Sequence, residues 1–117
     1  MLYKLPASSG SAIGYRFSGV IDKSDYDVLV PEMEALAAQN EHIQLVCDLT
    51  DFTWEKISAW REDVKFGHEF HHKISKMAIV GDSEAKKLIA DVAHPFYAES
   101  SEYFTNVDDA WDWLAAA

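Results

Sequence analysis

The sequence is poor in the residues that staple or interrupt a fold. Its 117 residues include one cysteine, Cys47, three prolines and five glycines. A single cysteine excludes an internal disulfide, a thiolate metal cluster and a dithiol redox pair, and it points to a reducing, cytoplasmic setting. No apolar run approaches the roughly 18 residues of a membrane span, and residues 1–10 lack the basic segment and apolar stretch of a secretory signal. Basic charge is also scarce: ten Lys and Arg stand against twenty Asp and Glu, a formal net charge of -10. A field of that sign repels phosphate, so nucleic acid and anionic membrane surfaces are poor partners and membrane insertion is not expected. Beyond Lys87 there are six acids and no Lys or Arg, which reads as a solvated acidic surface in preference to an interface for a basic partner. P-loop, GxGxxG and GxSxG patterns are missing.

What is present is an ordinary globular composition, 49% hydrophobic and 26% charged, in a chain of single-domain length with no repeat or linker. One domain over residues 1–117 is expected. Residues 2–5 and 12–18 alternate, Ile13, Tyr15 and Phe17 against Gly14, Arg16 and Ser18, around a turn that begins at Pro6. This predicts two antiparallel strands with one buried face. From Asp22 the period changes: Tyr26, Leu29, Val30, Met33, Leu36 and Ala37 share one helical face that ends near Asn40. Pro31 predicts either a kink near Asp27 or a restart of that helix. Residues 43–49 read as a buried central strand, 54–73 as a second long helix and 77–80 as a further buried strand. Ser83 can cap a third helix over 84–93, which His94-Pro95 would stop. Residues 102–105 suit a short strand, and Asn106 with Asp109 opens a last helix faced by Val107, Ala110, Trp111 and Leu114. Strands alternating with about four helices imply a mostly parallel sheet with an N-terminal antiparallel hairpin. Ligand sites in such sheets lie beyond the carboxyl ends of the strands, here the loops after Ser18, Leu49 and Val80.

The sharpest local pattern is His68-Glu69-Phe70-His71-His72, which matches HExxH. On a helix that spacing puts His68 and His72 one turn apart as zinc ligands, with Glu69 as the general base of a hydrolase. Two features oppose that reading. A helical projection turns His71 to the apolar stripe of Ile57, Trp60, Val64, Gly67 and Ile74, and leaves His68 and His72 beside Arg61 and Lys65, whose charge opposes a divalent ion. Ser75 and Ala78 also stand where the extended protease signature needs glycine and histidine. Solvated histidines on the helix flank are therefore preferred, and zinc hydrolysis is the distant alternative. Cys47, inside a buried strand, is expected to pack as a small hydrophobe. Phe52, Trp54, Trp60, Phe66 and Phe70 concentrate aromatics on the second helix and the loop before it. The same projection sets Trp54 away from the apolar stripe, where an exposed indole would anchor a partner.

Several strings resemble the SpoIIAA-like family, relatives of the STAS domains of anti-sigma-factor antagonists. They are Asp25-Tyr26 followed by Leu29, Pro31 and Met33; residues 45–49 continuing into Thr50-Asp51-Phe52; Trp60 with residues 63–67; residues 78–82; and Tyr103-Phe104 leading to Ala110 and Trp113-Leu114. The resemblance implies a small α/β domain with some similarity to lipid-carrying Sec14 (CRAL-TRIO) domains, and brings no catalytic role. Regulatory STAS proteins carry an Asp-Ser pair and a glycine after the equivalent strand, with the serine phosphorylated by a partner kinase. Here the stretch is Thr53-Trp54-Glu55-Lys56, which lacks both. The expected function is non-enzymatic binding of a protein partner through the loop after Leu49 and the following helix, with Asp51, Thr53, Trp54 and Trp60 as the candidate residues. Carriage of a lipid or other apolar small molecule is the alternative. No cofactor is expected, and self-association through a strand edge or an aromatic face is compatible with the pattern.

Overall fold

The computed structural model describes residues 1–55, 57–82 and 98–116; the side chains of residues 54, 55, 57–61, 63 and 64 are not among those described. Strand β1 (Leu2–Lys4) and β2 (Ala12–Phe17) form the expected hairpin, closed by reciprocal backbone bonds between Ser9 and Ala12 of 2.8 and 3.0 Å. A short β3 (Gly19–Ile21) follows, then helix α1 (Lys23–Gln39), β4 (Ile43–Asp48), β5 (Phe52–Glu55), α2 (Ile57–Phe70), β6 (Ile74–Val80), β7 (Ser101–Phe104) and α3 (Val107–Ala115). The main sheet has the order β1-β2-β4-β6-β7 with β4 at its centre, and every pairing except β1 with β2 is parallel. No helix among the described residues is long and apolar enough to cross a membrane.

Side-chain alternation along the strands produces two cores. Ile13, Tyr15, Ile43, Leu45, Met77 and Ile79 face Tyr26, Leu29 and Met33 of α1 and Phe66 and Phe70 of α2. Val46, Ala78 and Val80 face Ala110 and Leu114 of α3 on the other side. A parallel sheet needs apolar cover on both faces, and this arrangement supplies it.

Helix α1 starts and stops where the sequence signals it. Asp22 is the N-cap of a capping box with Asp25, and Asn40 is the C-cap. Pro31 neither ends nor restarts the helix. Proline deprives the carbonyl four residues back of its helical donor, and here that residue is Asp27, which is exposed, so water can take the donor's place. Asn106 caps α3 by accepting from the Asp109 amide, as expected. The helix predicted over 84–93, with Ser83 and His94-Pro95 at its ends, lies outside the described residues; three helices are present among those described.

Two boundaries differ from the sequence reading. Trp54 does not open a helix: residues 52–55 form β5, which pairs in parallel with β3 in a separate two-stranded sheet. Gly19 makes that pairing possible. Its φ of 67° lies in the left-handed region open to glycine, turning the chain out of β2 into β3 after a single intervening residue. At its other end α2 stops at Phe70 and not at Lys73. There the Lys73 amide donates to the Phe70 carbonyl at 2.8 Å and the Lys73 carbonyl accepts from the Ile43 amide at 2.8 Å, which feeds the chain into β6 three residues earlier than predicted.

Candidate functional site

The three loops expected to bear a site meet at the carboxyl end of the sheet. The Gly19 amide donates to the Asp51 carbonyl at 2.8 Å, the Leu49 amide to the Val80 carbonyl at 2.7 Å, and the Phe52 amide back to the Leu49 carbonyl at 3.1 Å. The turn after Leu49 is thus tied to β3, to β6 and to itself.

At the base of this turn lies Asp48, the one buried charged residue among those described, with 2% exposure. Its Oδ1 accepts from the Thr50 amide at 3.0 Å and from the Thr50 hydroxyl at 2.7 Å. A side-chain acceptor two residues upstream is the geometry that lets aspartate shape a turn. Arg16, beside Asp48 in the β2–β4 register, places Nε 3.6 Å from Asp48 Oδ2 and Nη1 3.9 Å from Asp51 Oδ2. The guanidinium therefore bridges the buried carboxylate at the strand end and the outward one in the turn.

Of the candidate residues, Asp51 and Thr53 are exposed on this braced segment, and Asp51 is held through both its carbonyl and its carboxylate. Trp54 stands in β5 opposite Val20 of β3, which is itself 38% exposed. Trp60 stands in α2. The side chains of Trp54 and Trp60 are not among those described. Sequence reasoning missed Asp48 and Arg16. The available signal is an acid closing an apolar strand with threonine two residues on.

The histidine cluster is not arranged as the HExxH reading requires. His68 is exposed in the last turn of α2, but His72 is exposed in the turn beyond it, so helical spacing does not relate the pair. His71 is half-buried, not part of a helical core stripe, and its ring meets that of His72 edge-on at 4.9 Å between centroids. Ile74, assigned to the same stripe, is buried in β6. Among the described residues no group of three or more His, Cys, Asp or Glu is placed to hold a metal ion. Cys47 is half-buried in β4, with its flank against the α1 and α2 core.

The SpoIIAA-like family model matches residues 12–115, nearly the whole of the fold described above. The chain belongs to the SpoIIAA-like family. Among solved structures it is similar to an uncharacterized protein from the DUF3478 family with a SpoIIAA-like fold, from Shewanella loihica PV-4. That likeness has a TM-score of 0.83 and 24% identity over 98% of this chain and 93% of the other, and it establishes the fold. No curated protein is significantly similar to this chain.

Proposed function

We propose that this SpoIIAA-like domain is a non-enzymatic regulatory module of the cytoplasm that binds a protein partner through the loop after Leu49 and helix α2. The observation that carries the reading is the bracing of that loop. A turn tied to two neighbouring strands and pinned from below by Asp48 presents Asp51 and Thr53 in one conformation, so little ordering entropy is lost on binding. The adjoining β3–β5 ribbon adds an exposed Val20 and brings the Trp54 backbone to the same end of the molecule. An apolar centre with a polar rim is the usual anatomy of a protein interface.

The test uses the immobilised full chain to capture partners from lysate of cells that make it naturally. One protein species retained by the wild type should be lost with Asp51→Ala and with Trp54→Ala. Asp51→Ala should keep the thermal midpoint within about 3 °C, because a change at an exposed residue costs at most about 0.5 kcal/mol, and an interface role for Trp54 requires the same of Trp54→Ala. Equal capture by the variants would remove this loop from the interface. A Trp54→Ala variant that melts much earlier would assign Trp54 to packing. Native mass spectrometry of the same preparation separates the alternative, since a co-purified apolar molecule would make the domain a carrier.

A further inference from the structure

At the amino end of the parallel strands, opposite the loop after Leu49, a pocket of about 240 Å³ opens between the β1–β2 turn and helix α1. Lys4 and Glu32 stand at one side, Ser8 and Ser9 on the turn, and Ile13 and Leu36 are among its apolar lining. The two charges are paired with each other. Lys4 Nζ donates to Glu32 Oε2 at 2.9 Å, and the hydroxyl of Tyr15, a core residue, donates to Glu32 Oε1. The turn is fixed: Ser8 Oγ accepts from the Gly14 amide at 3.0 Å, and Gly10 takes the left-handed φ of 58° between the reciprocal bonds of Ser9 and Ala12.

The chemistry of the walls narrows what can enter. The volume lies below the roughly 300–1,000 Å³ of pockets for drug-sized ligands, so the site suits a small molecule. A ligand that is only anionic meets the Glu32 carboxylate and the acidic field of the whole molecule, and one that is only cationic meets Lys4. A ligand with both charges a few ångströms apart lies antiparallel to the existing pair: its ammonium reaches Glu32, its carboxylate reaches Lys4, and no net charge is brought in. Charge-assisted hydrogen bonds at both ends fix the orientation, and an apolar tail finds Ile13 and Leu36. From this juxtaposition of the Lys4–Glu32 pair with a pocket that Ile13 and Leu36 line in part, we propose that the site binds a small zwitterion, an α-amino acid with an aliphatic side chain. This site is independent of the partner-binding loop.

The experiment is a titration of the ¹⁵N-labelled full chain with L-leucine, 4-methylpentanoate and 3-methylbutylamine, the last two each lacking one charge. Leucine should produce saturable amide shifts confined to Lys4, the turn from Ser8 to Ile13, and Glu32, Ala35, Leu36 and Gln39, at concentrations up to about 10 mM, which covers millimolar affinity. Each single-charge analogue should bind at least about tenfold more weakly, the loss expected for one charge-assisted contact. Glu32→Gln should abolish the shifts. Because that change also touches Tyr15, Ala35→Phe at the exposed lip of the pocket serves as a second block that leaves the core intact. No saturable shift with leucine, equal response to an analogue, or unaltered binding in folded Ala35→Phe would each overturn the proposal.

Discussion

Asp48 and Arg16 belong to the same cluster but are held there with different strength. Asp48 is buried and accepts two hydrogen bonds from Thr50, whereas the Arg16 side chain is 48% exposed and approaches its carboxylates at 3.6 and 3.9 Å. Removing a buried acceptor strands its donors, so Asp48→Ala should cost about 1–3 kcal/mol. The half-exposed Arg16 side chain and its long contacts make the weaker tie, so Arg16→Ala should cost about 1 kcal/mol, less than Asp48→Ala. Urea unfolding midpoints of the two variants check the order, and a larger loss for Arg16→Ala would assign the bracing to the ion pair. A second residue-scale prediction concerns Tyr15 and Glu32. Burial, reinforced by Glu32, pushes the Tyr15 hydroxyl above its ordinary 10.0. Burial alone would raise Glu32, but the Tyr15 hydrogen bond and Lys4 outweigh it and hold the carboxyl below its ordinary 4.5. A lowered carboxyl contributes stability that is present above its unfolded value and lost as pH falls through the folded one. A raised phenol contributes stability that is present below its unfolded value and lost as pH rises towards the folded one. The stability difference between wild type and Tyr15→Phe should therefore be greatest between these two ordinary values and shrink on both sides, as read from urea unfolding at a series of pH values. A difference independent of pH would mean that the hydroxyl contributes by packing alone.

Helix α3 shows how one element depends on another. Its first turn carries Asp108 and Asp109, which suit the positive end of the helix dipole, but its last turn has no basic residue. Strand β6 supplies the missing charge. Lys76 Nζ donates to the Trp113 carbonyl at 3.0 Å and to the Ala116 carbonyl at 2.8 Å, and it sits 5.0 Å from the centre of the Trp113 ring. Lys76→Met keeps much of the side-chain length and should cost about 0.5–2 kcal/mol through the uncapped carbonyls and the lost cation–π contact. Thermal unfolding and tryptophan emission together check this; an unchanged midpoint would show that the end of α3 is held by its apolar face. The same scale explains which elements the sequence reveals. Helix α1 is legible from Asp22 to Asn40 because its cap residues and its 3.6-residue period agree. Strand β5 is not, although Phe52, Thr53, Trp54 and Glu55 alternate, because its partner β3 is more than thirty residues away and only three residues long. The end of α2 was equally hidden, since Ile74 fits the helical stripe as well as it fits a strand.

For the molecule as a whole, the alternation of buried strands with amphipathic helices determined the sheet, its parallel sense and its N-terminal hairpin. Periodicity records which faces must leave water, and handed crossovers leave few ways to satisfy them. The acidic excess and the single cysteine likewise belong to the chain before it folds. Asp51 and Thr53 could be named from the sequence because a strand end in a parallel sheet marks the place. Their bracing could not, because it depends on Arg16, Gly19 and Val80, which other strands bring to the turn. The pocket beside Lys4 and Glu32 was invisible for the same reason: twenty-eight residues separate the two charges along the chain, and only the packing of α1 against the hairpin joins them. Local sequence carries local propensity and the pattern of burial. Register, and with it every contact between distant polar groups, exists only once tertiary packing has chosen a single alignment of the strands.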